Sequence, residues 1–196
     1  MKKLILASGS PRRRDILKRQ GIAFDIIKST IEEHSDKSRP DEVVMDLSRQ
    51  KAEAVYAGLD EKQRQEYSMI LSADTVVAAD GCIRGKPADR EEAERMLRLL
   101  SGREHQVYTG FCLLDARTGQ LLINEAECTL VRVYELEDEE IGRYIDSGEP
   151  MDKAGAYGIQ GLFSYYIRGI EGDYDNVVGL PIARIYQECK ALGISL

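Results

Sequence analysis

Three short stretches hold most of the residues able to act on a phosphorylated substrate: "ASGSPRRR" at 7–14, "SADTVV" at 72–77 and "DKAGAYGIQG" at 152–161. In the first, an apolar run passes through a Ser-Gly-Ser turn and a proline into three arginines, where a helix should begin. Helix N-termini carry positive partial charge and favour acids in their first turn, so three cations there call for an anion. Backbone N–H groups of the Ser8–Pro11 turn, the helix dipole, Arg12 and Arg13 converge on one spot, the usual construction of a phosphate site. At about 100° per residue, Arg13 projects between Ile16 and Leu17 toward the protein, Arg12 lies at the flank and Arg14 turns to solvent. The alternative is a solvated basic face capped by Ser10 and Pro11.

Asp74 stands in the middle of the apolar run "ILSADTVV". A carboxylate there is costly to bury unless it is paired, hydrogen-bonded or bound to a metal. Either it forms a structural ion pair with Lys86 or an arginine, or it holds a hard divalent cation or a water, with Glu32 or Glu33 as a second acid. Mg²⁺ suits one or two carboxylates completed by substrate phosphates. An ordinary aspartate, with a reference pKa near ~3.9, is a weak base at neutral pH, so burial or a metal-acidified water must close the gap. In "DKAGAYGIQG", Gly155, Gly158 and Gly161 permit close backbone approach, Lys153 adds a cation, and the Gln160 amide can match the O=C–N–H edge of uracil or thymine. The segment can equally be a tight structural loop.

The elements that must carry these residues are legible from pattern. "KKLILAS" is expected as a buried strand, and "PRRRDILKRQG" as a helix with Ser10 as N-cap, Pro11 at the first helical position and Gly21 at its end. "FDIIKSTIEEHSD" reads as a strand running into a polar loop. In the next helix, Val43, Val44, Leu47, Ala54 and Val55 form the apolar stripe with Lys51 close by, and "DEKQRQEYS" follows as an exposed connection. Asp80-Gly81 signals a two-residue hairpin that pairs Ala79 with Cys82, Val77 with Arg84 and Thr75 with Lys86, bringing Asp74 and Lys86 within diagonal reach. "DREEAERMLRLLSG" is a helix buried through Ala93, Met96, Leu97 and Leu100. Long strands flank "DARTGQ", a short helix lies in "EDEEIGRYIDSG", "LFSYYIRGI" reads as a strand and "GDYDNVVGLP" as a loop before the last helix, "IARIYQECKALG". Strands alternating with helices, together with long hairpins, predict an α/β class: a mixed, curved sheet flanked by helices, with two lobes around a cleft in one domain over 1–196.

Composition narrows the function. At 196 residues with 43% hydrophobic content the chain can bury a sizeable core, and disorder is not indicated. A net charge of -7 argues against nucleic-acid or membrane-surface binding and confines any anion site to a local basic cluster. Cys82, Cys112, Cys128 and Cys189 lack C-x-x-C spacing and read as packed, reduced thiols; with only His34 and His105, a histidine metal cage is implausible. The apolar run of "MKKLILASGS" is too brief for a secretory signal, which points to the cytoplasm.

Taken together, "LASGSPRR", "IEE", "LSRQKA", "SADTVV", "GKP", "LSGREHQVYTG", "DKAGAYGIQG" and "VVGLP", in this order, resemble the Maf family of nucleoside triphosphate pyrophosphatases. The resemblance implies an elongated α/β fold similar to the inosine triphosphate pyrophosphatases, hydrolysis of a nucleoside triphosphate to the monophosphate and pyrophosphate, Mg²⁺ or another divalent cation, and a homodimer. It implies that Asp74 is the proton acceptor or metal-linked carboxylate and Glu33 the second acid. Ser8, Ser10, Arg12, Arg13, Lys51 and Lys86 match the family's polar and phosphate-binding positions. The "DKAGAYGIQG" loop is similar to the branch acting on dTTP and UTP, whose specificity positions correspond to Arg12, Thr75 and Gln160. Two other readings stand beside it: a non-catalytic nucleotide-sensing regulator of septum formation, and a sugar-nucleotide transferase.

Overall fold

A computed structural model describes residues 3–196; Lys2, the first residue of the expected opening strand, lies outside them. The strand is β1 (Lys3–Leu6), which pairs in parallel with β2 (Phe24–Ile26) and with β3 (Tyr67–Ala79). Between β1 and β2 lies α1 (Pro11–Arg19), with Pro11 in its first turn and Gly21, at φ +69°, just past its end. Then come α2 (Pro40–Gly58) and α3 (Glu61–Glu66) before β3, and β4 (Cys82–Arg84) and α4 (Arg90–Leu100) after it. The second half holds β5 (Glu104–Asp115), β6 (Leu121–Val133), α5 (Asp138–Asp146), β7 (Ile167–Glu171), α6 (Tyr174–Val178) and α7 (Ile182–Ala191). The sheet runs β2-β1-β3-β5-β6-β7, with β4 on β3, and mixes parallel with antiparallel pairs as expected for an α/β class.

By internal contacts the chain divides into two units. The first comprises residues 1–74, 109–127 and 179–196, the second residues 75–108 and 128–178. β3, β5 and β6 each contribute residues to both. In the first unit, Ile5, Ala7, Ala52, Val55, Leu59, Ile70, Cys112 and Leu114 pack as one apolar cluster. The buried stripe of α2 is Val43, Val44, Ser48, Lys51, Ala52 and Val55, so Leu47 and Ala54 give way to a serine and a lysine at its centre. Polar residues on that stripe need partners: Ser48 Oγ donates to the Met45 carbonyl at 3.0 Å within the helix, and Lys51 is paired in the site described below.

In the second unit, α4 buries the four expected residues, Ala93, Met96, Leu97 and Leu100, the three large side chains among them worth about 1.5–3 kcal/mol apiece relative to exposure. Its N-terminus is capped by Asp89, which accepts from the Glu92 N–H at 2.7 Å. α4 packs on α5, which buries Ile141, Tyr144 and Ile145. Tyr144, Tyr157 and Tyr166 surround the fully buried Phe163, with ring centroids 4.8–5.4 Å from it.

Several expected elements differ. The hairpin turns at Asp80 and Gly81, both at positive φ, and its register is the expected Ala79↔Cys82 and Val77↔Arg84. Pairing ends at Arg84, however, so Thr75 and Lys86 form no pair in the ladder. "DEKQRQEYS" is not a plain connection: Asp60 and Gln63 form a reciprocal capping box that starts α3. "LFSYY" is a 3₁₀ turn rather than a strand, because Phe163 must point into the aromatic cluster while Leu162 and Tyr165 face water. "GDYDNVVGLP" contains α6, anchored where Asn176 Nδ2 donates to the Val107 carbonyl and to Thr129 Oγ1, each at 3.0 Å. Cys82 and Cys128 are exposed, so only Cys112 and Cys189 are packed thiols.

His105 gives the second unit a pH dependence. It is buried, 2.7 Å from Tyr157 Oη through Nε2, and loss of hydration lowers its pKa from 6.5 to about 4. The folded state therefore keeps it neutral, whereas the unfolded chain binds a proton below about 6.5. The resulting stabilisation is complete above the unfolded value and is lost as pH falls toward 4, amounting to roughly 3 kcal/mol. Urea unfolding of wild type and His105→Gln at pH 7 and pH 4 checks this: the wild type should lose more by about that amount, and parallel losses would refute it.

Candidate active site

The first unit assembles its functional residues at the C-terminal end of β1 and the middle of β3. β1 pairing continues past its end, with the Ala7 N–H donating to the Leu71 carbonyl at 2.8 Å, and the chain then turns through Ser8, Gly9 and Ser10. Ser8 Oγ accepts from the Ser10 N–H at 3.2 Å and from Arg13 Nη1 at 3.1 Å, while Arg13 Nε donates to the Gly179 carbonyl at 2.7 Å. Ser10 sits at the N-cap, but its side chain makes no capping bond, and no acid occupies the first turn of α1. The positive end of α1 is thus left for an anion from elsewhere. Arg14 instead pairs with Asp15 at 3.2 Å and its side chain is 40% exposed, so the helical phase separates it from Arg13 as expected.

Asp74 finds its partner on α2, not in Lys86. Ser72 and Asp74 point the same way from β3, two residues apart, and Ser48 and Lys51 lie three apart on one face of α2. Ser72 Oγ donates to the Ser48 carbonyl at 2.5 Å, fixing helix against strand. One step along, Lys51 Nζ is 2.5 Å from Asp74 Oδ1 and 2.9 Å from Glu33 Oε2. The Lys51 side chain is 11% exposed and that of Asp74 16%, so this pair is shielded, whereas Glu33, 37% exposed, joins the same ammonium from a more solvated position. Glu33 is held there because its loop is tied to α2 on its C-terminal side: Gln50 Nε2 donates to the His34 carbonyl at 2.7 Å and Ser35 Oγ to Asp46 Oδ2 at 2.6 Å.

The two clusters feel each other. Loss of hydration pulls the Arg13 pKa below its ordinary value; Asp74 and Glu33 oppose that shift and Arg12 reinforces it. A guanidinium remains charged regardless, so Arg12, Arg13 and Lys51 stand against two carboxylates in one region.

Thr75 follows Asp74 on β3, but Thr75, Lys86 and Gln160 belong to the second unit. There Lys86 is exposed between β4 and α4, in a segment joined to the glycine loop where the Gly155 N–H donates to the Gly85 carbonyl at 2.9 Å. Gln160 is exposed, next to the buried run Gly155–Ile159. Lys153, read from sequence as a cation for the substrate, is engaged within its own loop, donating to the Glu149 carbonyl at 3.0 Å and to Asp152 Oδ1 at 2.5 Å.

Lys28 has no sequence signal, yet its side chain crosses Gly9: a Cβ there would lie 2.9 Å from Lys28 Cε and 3.4 Å from Nζ. Gly9 thereby admits a fourth cation to the turn. The Ser72–Ser48 tether was equally hidden, because its acceptor is a backbone carbonyl that any residue would supply. Among the described residues no group of three or more His, Cys, Asp or Glu could by itself hold a metal ion, and no helix is long and apolar enough to cross a membrane.

Sequence comparison bears on this arrangement. The profile described as "Maf-like protein" matches residues 3–192. A protein of Agathobacter rectalis named dTTP/UTP pyrophosphatase is 49% identical over 207 residues, covering all of both chains. A protein of Koribacter versatilis with the same name is 47% identical, over 97% of this chain and 95% of its own. Among solved structures, a HAM1 protein from Coxiella burnetii superposes with a TM-score of 0.52 at 14% identity, over 98% of this chain and 99% of its own, which bears out the expected type of fold. Arginine turn, acid pair and glycine loop thus occur in a chain that is related along nearly its whole length to one group of proteins: it belongs to the Maf-like protein family.

Proposed function

We propose that this protein hydrolyses dTTP and UTP between the α- and β-phosphates, releasing the nucleoside monophosphate and pyrophosphate. The observation that carries the reading is the Lys51 ammonium shared by Asp74 and Glu33 within electrostatic reach of Arg13. The full-length relatives bearing the name dTTP/UTP pyrophosphatase support it. A triphosphate brings roughly four negative charges, and Arg12, Arg13, Lys51 and the open end of α1 supply positive potential in a protein of net charge -7.

In this reading a water oxygen attacks the α-phosphorus, the bond to the bridging oxygen breaks, and pyrophosphate leaves toward Arg12 and Arg13. Asp74 orients the water and takes its proton. Lys51 holds Asp74 and Glu33 in place, and Ser8 fixes the Arg13 fork. Lys86 is assigned to the phosphates, Ser10 to the phosphate turn, and Arg12, Thr75 and Gln160 to nucleotide discrimination. Each acid spends one oxygen on Lys51 Nζ, Asp74 its Oδ1 and Glu33 its Oε2, and hard cations accept one or two carboxylates plus phosphate oxygens, so the second oxygens of this pair suit a divalent cation. Asp74 and Glu33 would hold it, and when bound it would offset phosphate charge and acidify water.

Pyrophosphate release from dTTP, UTP, CTP, ATP and GTP, with and without Mg²⁺, tests this. Release from dTTP and UTP above the others, without an acceptor molecule, is the expected result; nucleotide binding without turnover would favour a sensor instead. Arg13→Ala should reduce kcat/KM by at least about tenfold, the loss of one charged hydrogen-bonding group. Arg14→Ala should stay within about twofold, and equal losses would refute the assigned helical phase.

A further inference from the structure

The Tyr144–Glu149 pair is used by none of the steps above, yet it grips the backbone on both sides of Gln160. The Gly158 N–H donates to Tyr144 Oη at 3.1 Å. Tyr144 Oη donates in turn to Glu149 Oε1 at 3.0 Å, and the other carboxylate oxygen, Oε2, accepts from the Leu162 N–H at 3.0 Å. A phenol has one proton to give, so donation to Glu149 obliges Tyr144 to accept from Gly158. The two amides lie two residues before and two after Gln160, and the Gly161 N–H closes the turn on the Gly158 carbonyl at 3.2 Å.

Around this tie the packing leaves little slack. A Cβ on Gly161 would lie 2.0 Å from Glu149 Oε1, and one on Gly158 2.8 Å from Lys153 Cε. Phe163, 1% exposed, packs on the Tyr144 ring at 5.0 Å. Burial, with Glu149 adding to it, raises the Tyr144 pKa and keeps its hydroxyl protonated as a donor. Within this frame Gln160 alone in the run 155–160 is exposed. Both anchors thus fall on the backbone that carries a solvent-facing amide.

We propose that Glu149, acting with Tyr144, is a positioning residue that fixes the Gln160 amide so that it distinguishes the O=C–N–H edge of uracil or thymine from the N=C–NH₂ edge of cytosine. The proposal rests on the functional reading above. A primary amide can turn end for end about its last bond, so it discriminates these edges only from a fixed position at which one orientation is favoured, and the two backbone anchors supply that fixed position. Glu149 touches no substrate; it acts through residues 158–162.

The test compares kcat and KM for UTP and CTP in wild type, Glu149→Ala, Glu149→Gln, Tyr144→Phe, Gln160→Ala and the Glu149→Ala/Gln160→Ala double variant. Glu149→Ala and Tyr144→Phe should lower the UTP-to-CTP ratio of kcat/KM about tenfold, the scale of one lost hydrogen bond, through a raised KM for UTP. Glu149→Gln, which retains a carbonyl acceptor, should recover part of the ratio. The double variant should discriminate no worse than Gln160→Ala alone, since the two residues act as one unit. An unchanged ratio, or equal losses on both nucleotides, overturns the proposal. Amide hydrogen exchange provides a readout independent of turnover: Gly158 and Leu162 should exchange faster in Glu149→Ala and Gly158 faster in Tyr144→Phe, and unchanged protection overturns the proposal. A wild type that does not prefer UTP to CTP would instead overturn the substrate assignment, leaving exchange to decide the positioning role.

Discussion

Asp74→Asn is expected to slow pyrophosphate release from dTTP by about 10²–10⁴-fold, the range for removing a general base, while the protein stays folded and still binds the nucleotide. The substitution keeps the size and planar shape of the side chain. Its carbonyl can still accept from Lys51 Nζ, which sits 2.5 Å from Asp74 Oδ1 in the native protein. What is lost is the negative charge and the capacity to take a proton. Lys51 is not orphaned, because Glu33 Oε2 remains 2.9 Å away. The penalty of leaving a shielded ammonium unpaired, about 3–5 kcal/mol for fully buried pairs, is therefore avoided. Lys51→Met is the informative contrast: it leaves two carboxylates facing each other without their shared cation, so it should reduce both turnover and stability. Steady-state pyrophosphate release and urea denaturation of both variants check the pair. Full activity in Asp74→Asn would remove Asp74 from the chemistry; loss of folding would mean that its charge is structural.

The contrast between these substitutions also shows what could be read from sequence. The β3–β4 hairpin followed from Asp80-Gly81, and the buried face of α4 from spacing alone, since both are set by residues within a few positions of one another. The partner of Asp74 was not legible. Lys51 lies 23 residues earlier, and the Ser72–Ser48 bond that brings α2 against β3 involves two residues without a distinctive pattern. Lys86 was the local choice, and it failed because β4 stops at Arg84. α3 escaped for a different reason: its capping box was present in the sequence, but all of its apolar burial is missing, so periodicity gave no signal. Phe163 shows the reverse, an aromatic run with strand-like composition bent into a turn by a tertiary cluster around one ring. Arg13 was legible because helical phase is local, whereas its bonds to Ser8 and the Gly179 carbonyl complete a site whose distant half required the fold.

Gly110→Ala is expected to be among the most destabilising single-methyl additions in the chain. Gly110 closes the "HQVYTG" stretch on β5, where pattern gave it no purpose beyond a strand. In the fold, a Cβ at this position would lie 2.3 Å from both the carbonyl carbon and oxygen of Val44 and 2.6 Å from the Met45 nitrogen. These are backbone atoms of α2, so relief requires moving the helix rather than rotating a side chain. Overpacking of that kind costs about 3 kcal/mol, and for a chain of this length roughly 6–12 °C in Tm. The same displacement would reach Ser48 and Lys51, one and two turns further along α2, and so should depress turnover even at temperatures where the variant is folded. Gly142→Ala is the internal control: it lies within α5 with nothing inside 4 Å of the added carbon, and alanine there should stabilise by about 0.5–1 kcal/mol through helix propensity. Opposite signs for one chemical change would establish that Gly110 is glycine because α2 passes against β5 at that point. Equal Tm values for wild type and Gly110→Ala would show that α2 can retreat from β5 freely, and the fixed distance between Lys51 and Asp74 would then need another explanation.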